Sequence, residues 1–109
     1  MGKQTEEAFR QYLIRTTGTN AGTAGSYMRA IAITDTALLR HQMFLNLGES
    51  IFDIQDVKRL EKLYELILQE QKKGTDGIFR EVKSTSYWKG GFCASAIAKY
   101  IEYNRYSSI

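Results

Sequence analysis

An all-α fold, a compact bundle of four to five helices, is what this chain of 109 residues predicts. Three observations carry that reading. The chain has no proline, so no residue both removes a backbone donor and clashes with the preceding turn. Its glycines cluster between long stretches rather than inside them. Within those stretches apolar residues return every three or four positions, the period of a helix with one buried face. The length fits a single domain spanning residues 1–109, large enough for a core without covalent staples.

The first helix is expected over about residues 6–16. Thr5 is its cap, and Glu6 and Glu7 suit the positive end of the helix dipole. Phe9, Tyr12 and Leu13 form its buried stripe. Residues 18–25 are small and polar and read as a loop. A second helix is expected over about residues 24–45, capped by Thr23, with Tyr27, Ala30, Ile31, Leu38 and Leu45 on its inner face. Thr34-Asp35-Thr36 is a weak point where it can break. Residues 47–52 connect, with Ile51, Phe52 and Ile54 plugging the core.

The third helix is expected over residues 54–73, capped by Asp53. Leu60, Tyr64, Ile67 and Leu68 mark its buried face, and Gly74 sits where a helix-ending glycine belongs. Residues 75–85 read as a loop or short extended piece. The last helix is expected from about Tyr87 or Gly91 to Tyr103, with Phe92, Ala96, Ile97, Tyr100 and Ile101 inward.

Composition excludes several classes. The lone cysteine, Cys93, forbids an internal disulfide and suits a reducing cytoplasm. Cys93 and the single histidine, His41, fall short of the roughly four N/S ligands of structural zinc. No apolar run reaches the ~18 residues of a membrane span, and the polar start carries no secretory signal. A cytoplasmic, non-membrane protein without metal or cofactor is expected.

The net charge is +3 and the pI about 9.0, compatible with a polyanionic partner. The charge is uneven. Residues 8–34 hold Arg10, Arg15 and Arg29 and no acid, whereas acids outnumber bases over residues 49–70. Residues 80–99 are basic again, with Arg80, Lys83, Lys89 and Lys99 against Glu81. If the two ends meet in space, they form one basic face opposite an acidic one.

No complete catalytic constellation is present. Glu81-Val82-Lys83 matches half of a metal-dependent nuclease pattern but lacks the upstream acid on a strand, so a solvated loop is the expected reading. The 18–25 stretch lacks the Gly-Lys-Ser/Thr ending of a nucleotide-binding loop. Its amides and threonines can still meet a DNA phosphate at the start of the second helix. His41 reads as a surface or helix-end residue and Cys93 as a small core residue. Tyr87-Trp88-Lys89 is either a plug sealing the bundle end or an exposed recognition surface.

Phe9-x-x-Tyr12-Leu13 followed by Thr23-x-x-Ser26-Tyr27-x-x-Ala30-Ile31 resembles the opening of the helical core-binding (SAM-like) domain of tyrosine recombinases. A second likeness covers more of the chain. Ser26-Tyr27-Met28-Arg29-Ala30-Ile31, Ile51-Phe52-Asp53-Ile54, and Ser86-Tyr87-Trp88-x-x-Gly91-Phe92-Cys93-x-Ser95-Ala96-x-x-x-Tyr100-Ile101 resemble helical N-terminal domains of HNH-type and modification-dependent restriction endonucleases. That resemblance implies a non-catalytic module that helps engage DNA while the nuclease lies elsewhere.

The expected DNA contacts are Arg15, Arg29, Lys83, Lys89 and Lys99 on phosphates. Thr23 and Ser26 would act at a helix N-terminus, with Tyr87 and Trp88 on sugar or base. The alternative is a protein-interaction or homodimerisation domain using Glu61, Glu65 and Glu70 and an apolar patch at Tyr100, Tyr103 and Tyr106. A small enzyme is a third possibility, which a deep polar pocket would favour.

Overall fold

A computed structural model describes residues 2–16 and 21–107. Among the described residues five helices are present: α1 (Gly2–Thr16), α2 (Ala21–Arg40), α3 (Val57–Lys72), α4 (Ser86–Lys89) and α5 (Phe92–Ser107). Single 3-10 turns occupy Ile51–Asp53 and Gly74–Asp76. No strand occurs among the described residues, and the architecture is an all-α bundle. Residues 17–20, which fall in and just before the expected small-residue loop, lie outside the described set.

Helix α5 is the central element. It packs against α1, α2, α3 and α4, and Cys93, Ala94, Ala96, Ile97, Tyr100, Ile101 and Asn104 are all buried along it. A helix covered on several sides needs apolar residues around most of its circumference. Small residues let the backbones approach, and Cys93 Sγ lies 3.8 Å from Ala30 O on α2. Burial pushes the Cys93 thiol up to about 11.

Tyr100 ties this centre to the connector. Its ring meets Phe9 of α1 edge-on at 5.2 Å and Phe52 at 5.5 Å. Its hydroxyl lies 2.9 Å from Ile54 O and 3.2 Å from Phe52 O. The one hydroxyl proton serves both carbonyls, Phe52 O in the 3-10 turn and Ile54 O just beyond it, where the chain is extended. This corrects the expected start of α3. The helix begins at Val57, capped by Asp56, whose Oδ1 accepts from Lys58 N at 3.1 Å. Asp53 instead closes a reciprocal capping box with Ser50 around the 3-10 turn.

Asp35 holds the same turn from the other side. Its carboxylate accepts from Ser50 Oγ and Ile51 N, both at 2.8 Å. The expected break at Thr34-Asp35-Thr36 does not occur. Thr34 and Thr36 donate their hydroxyls to Ala30 O and Ala32 O one turn back, so neither competes for the helix amides.

The second helix ends at Arg40 rather than near Leu45. Met43 N donates to Leu38 O and Gln42 N to Leu39 O, with Gln42 at φ 53°, which is a Schellman ending. Phe44 is also left-handed, at φ 65°. Both positions fall on side-chain-bearing residues, so no glycine announced the stop. Arg59 steadies the segment, with its guanidinium on both Glu49 oxygens at 2.7 and 2.8 Å and 5.1 Å from the Phe44 ring centroid.

Helix α3 ends as expected, with Gly74 at φ 59° beyond the last turn. The buried Glu70 then folds the chain back, accepting from Ile78 N at 3.0 Å while its other oxygen meets Lys73 Nζ at 2.6 Å. A Cβ on Gly77 would sit 2.5 Å from Glu70 O, so this return requires glycine. Ile78 and Phe79 enter the core. The expected last helix is divided: α4 stops at Lys89, Gly91 at φ 81° redirects the chain, and α5 runs past Tyr103 to Ser107.

Burial raises the Tyr100 hydroxyl and the Cys93 thiol above their ordinary values near 10 and 9. Above about pH 9 the native state therefore holds protons that the unfolded chain has released. The stability that these groups contribute is complete below that pH and is lost as pH rises through their native values. Tyr100→Phe should lower stability at pH 7 by about 1–3 kcal/mol, because the Ile54 and Phe52 carbonyls lose their donor. It should also flatten the alkaline decline, and urea melts between pH 8 and pH 11 would measure both effects.

Candidate functional site

Helix α2 presents Ser26 and Arg29 toward α4 and the first turn of α5. Arg29 is exposed, and its guanidinium carbon lies 5.9 Å from the Tyr87 ring centroid. Tyr87 meets Phe92 edge-on at 5.7 Å, and Phe92 stacks on Tyr27 at 4.9 Å. A row of aromatic rings, all half-buried, thus begins at one exposed cation. No carboxylate pairs with Arg29 among the described residues.

Two shallow hollows flank this row. One, of about 330 Å³, is lined by Ser26, Ser86, Tyr87 and Phe92. The other, of about 280 Å³, has Ala32, Ile33, Ala37 and Val82 on its floor and Arg29, Arg40 and Glu81 around it. Both are open to solvent, and neither is the deep polar pocket that an enzyme reading would need. Among the described residues no group of three or more His, Cys, Asp and Glu side chains converges to hold a metal ion.

The expected contact residues divide on this surface. Ser26, Arg29 and Tyr87 are brought together, and the exposed Lys83 follows Val82 at the edge of the second hollow. Lys89 is exposed, with its ammonium 5.8 Å from the Trp88 ring centroid. Trp88 itself is buried, stacked on Phe79 at 6.0 Å. It is the plug of the bundle end, and its ring faces no solvent from which a base could approach.

Thr23 does not cap α2, because the helix already runs from Ala21, but it is exposed in the first turn. Ser26 is one turn further in and donates its hydroxyl to Gly22 O at 3.2 Å, so it too lies within the helix rather than at its end. Lys99 sits on α5 with its ammonium 3.5 Å from Glu102, beside a separate hollow lined by Tyr27, Tyr64 and Ser95. Arg15 is exposed at the end of α1. Among the described residues no ion pair or cation–ring contact joins Arg15 to the Arg29–Tyr87 row.

Most carboxylates of the acidic stretch have partners, and Glu65 is exposed without an ion pair among the described residues. Glu49 is held by Arg59, which keeps its carboxyl below the usual range. Asp53 and Asp56 cap turns, and Glu61 meets Arg105 at 2.6 Å. Glu70 is buried, so of the expected acidic face of Glu61, Glu65 and Glu70 only Glu61 and Glu65 are exposed. Of the expected apolar patch only Tyr106, 55% exposed, stays at the surface. Tyr100 is fully buried, Tyr103 is half-buried, and Tyr106 leans on Tyr12 at 5.3 Å.

Sequence reasoning missed a cluster around Glu81. Arg40 Nη1 lies 3.7 Å from its carboxylate, His41 Nε2 3.0 Å and Arg80 Nε 3.8 Å. Only the adjacency of Arg40 to His41 and of Arg80 to Glu81 was visible in the chain. The meeting of the two pairs depends on where α2 stops.

No family model matches the chain, and neither a curated protein nor a solved structure matches it.

The division between Trp88 and Arg29 is directly measurable. Trp88→Ala should cost about 3–5 kcal/mol of unfolding free energy, as for a large aromatic removed from a packed core. Arg29→Ala should stay within about 0.5 kcal/mol of the parent, because it removes an exposed side chain without an ion-pair partner. Urea denaturation followed by circular dichroism reads both.

Proposed function

We propose that this chain is a non-catalytic helical DNA-binding module, of the kind that serves restriction, recombination or mobile-element systems in the cytoplasm. The observation that carries the reading is the unpaired Arg29 laid against Tyr87, with the Ser26 and Ser86 side chains lining the adjoining hollow. A guanidinium is suited to a phosphate, and a tyrosine edge beside it to a sugar or base. Lys83 and Lys89, exposed before and after Tyr87 in the chain, add positive charge to the surface. The resemblance to helical N-terminal domains of restriction endonucleases supports the same conclusion, through Ser26–Ile31 and the Ser86–Ile101 pattern.

The distribution of charge favours this side over the acidic one. Most carboxylates of residues 49–70, Glu65 excepted, are engaged in caps, ion pairs and buried hydrogen bonds. Among the described residues Arg29, Lys83 and Lys89 are in no ion pair, as also holds for Arg15, Lys58, Lys62 and Lys72. With a net charge of only +3, affinity has to come from this local surface rather than from the field of the whole molecule.

A second reading, a protein-interaction or homodimerisation domain, rests on other residues. Leu47 is fully exposed at 103% and Leu39 is 40% exposed, both near the Schellman stop of α2. Sedimentation of the parent and of Leu47→Ser over a concentration series distinguishes this reading. A dimer lost in the variant would favour it.

Fluorescence anisotropy with a short labelled duplex, between about 50 and 200 mM salt, tests the DNA reading. Saturable binding that weakens with salt is expected. Arg29→Ala and Lys83→Ala should each weaken binding across sequences and reduce the salt slope by about one. No saturable binding at the lowest salt, or a salt slope unaltered in both variants, would overturn the reading.

A further inference from the structure

We propose that Arg40, His41 and Arg80 form a phosphate site that Glu81 occupies from within the chain. This rests in part on the DNA reading, since a nucleic-acid backbone is the intended source of the phosphate, but the site is also testable without DNA. Three basic groups from two separate segments converge on one carboxylate, at 3.7, 3.0 and 3.8 Å. One carboxylate carries a single charge. Against two guanidiniums it leaves the cluster positive, and more so when His41 is protonated. A phosphate offers further oxygens and up to a second negative charge, and guanidinium forks fit it well.

The present occupant is poorly matched. His41 Nε2 is shielded from solvent, and its approach to Glu81 lacks the alignment of a hydrogen bond. The Arg40 and Arg80 pairs are long, and the side chains of Arg40, Glu81 and Arg80 are 49%, 45% and 50% exposed. Exposed pairs of this kind contribute little to folding, so displacing Glu81 costs little.

The cationic groups stand on fixed elements. Arg40 and His41 are held by the Schellman ending of α2. Arg80 follows the buried Phe79, in a segment anchored by the bond from Ile78 N to Glu70. Arg29, Arg40 and Glu81 border the same hollow, so a backbone running past Tyr87 and Arg29 arrives at this cluster. Glu81 would then compete with the incoming phosphate and weaken binding in the free protein.

The test uses Glu81→Gln, which keeps the side-chain size and removes the charge. Duplex binding by anisotropy should tighten about threefold or more at low salt, and Arg40→Ala in the same background should reverse the gain. Independently, the ring proton resonances of His41, the single histidine, should shift saturably with tripolyphosphate, at lower concentration in Glu81→Gln than in the parent.

Equal duplex affinity together with unmoved His41 resonances would overturn the phosphate site while leaving the DNA reading intact. A His41 shift with tripolyphosphate but no duplex binding in either protein would support the site and end the DNA reading. Matching thermal midpoints of parent and Glu81→Gln are also expected. A variant that unfolds instead would overturn the proposal, because Glu81 would then be required by the fold.

Discussion

The hydroxyl of Tyr100 reaches the carbonyls of Ile54 and Phe52, and the arrangement of the other helices follows from that reach. Tyr100 sits in the middle of α5, so the bond joins the central helix to the irregular connector before α3. The connector is gripped from the other side by Asp35, through Ser50 Oγ and Ile51 N. Burial raises the Asp35 carboxyl while those two hydrogen bonds oppose the rise. The α2 side chain and the α5 side chain therefore clamp one non-helical segment between them. With Phe9 and Phe52 packed on the Tyr100 ring, α1 is fixed to the same point.

That central clamp determines what reaches the surface. With α5 fixed, its first turn carries Phe92 against Tyr27 of α2, and the Gly91 bend sets α4 beside them. Trp88 then falls inward onto Phe79 while Tyr87 falls outward under Arg29. Neighbouring aromatics on one short helix thus take opposite roles, one sealing the core and the other facing a cation. Apart from the exposed Glu65, the carboxylates of the middle segment cap turns or pair with Arg59, Lys73 and Arg105. The molecule is only mildly basic. Among the described residues Arg29, Lys83 and Lys89 near α4 are in no ion pair, and neither are Arg15 on α1 and Lys58, Lys62 and Lys72 on α3.

Much of the fold was legible, because its signals were local. The apolar stripes of α1 and α3 and the glycine after α3 are short-range patterns that burial does not override. The misjudged features depend on distant partners. Asp53 and Asp56 are both good caps by residue type, and only the Tyr100 bond to Ile54 O decides between them. Gln42 ends α2 in a conformation usually given to glycine, so the stop is invisible in composition. Thr34 and Thr36 look like helix breakers until their hydroxyls are seen bonded to the preceding turn. At the site, Arg29 and Tyr87 were named from the sequence, but their contact was not, and the cluster at Glu81 needed the true end of α2. Of the tyrosines near the C-terminus only Tyr106 stays exposed, and helical spacing cannot tell which of Tyr100, Tyr103 and Tyr106 a neighbouring helix covers.

The central claim is that the α2–α4 surface, and not α3, engages the DNA backbone. Backbone amide shifts, followed by two-dimensional NMR during titration with a short duplex, map the contact residue by residue. The account predicts progressive, salt-sensitive shifts at Ser26, Arg29, Val82, Lys83, Ser86 and Tyr87, with the α3 residues Glu61 and Glu65 unmoved. Shifts centred on α3 or on Leu47, or no shifts at low salt, would contradict it.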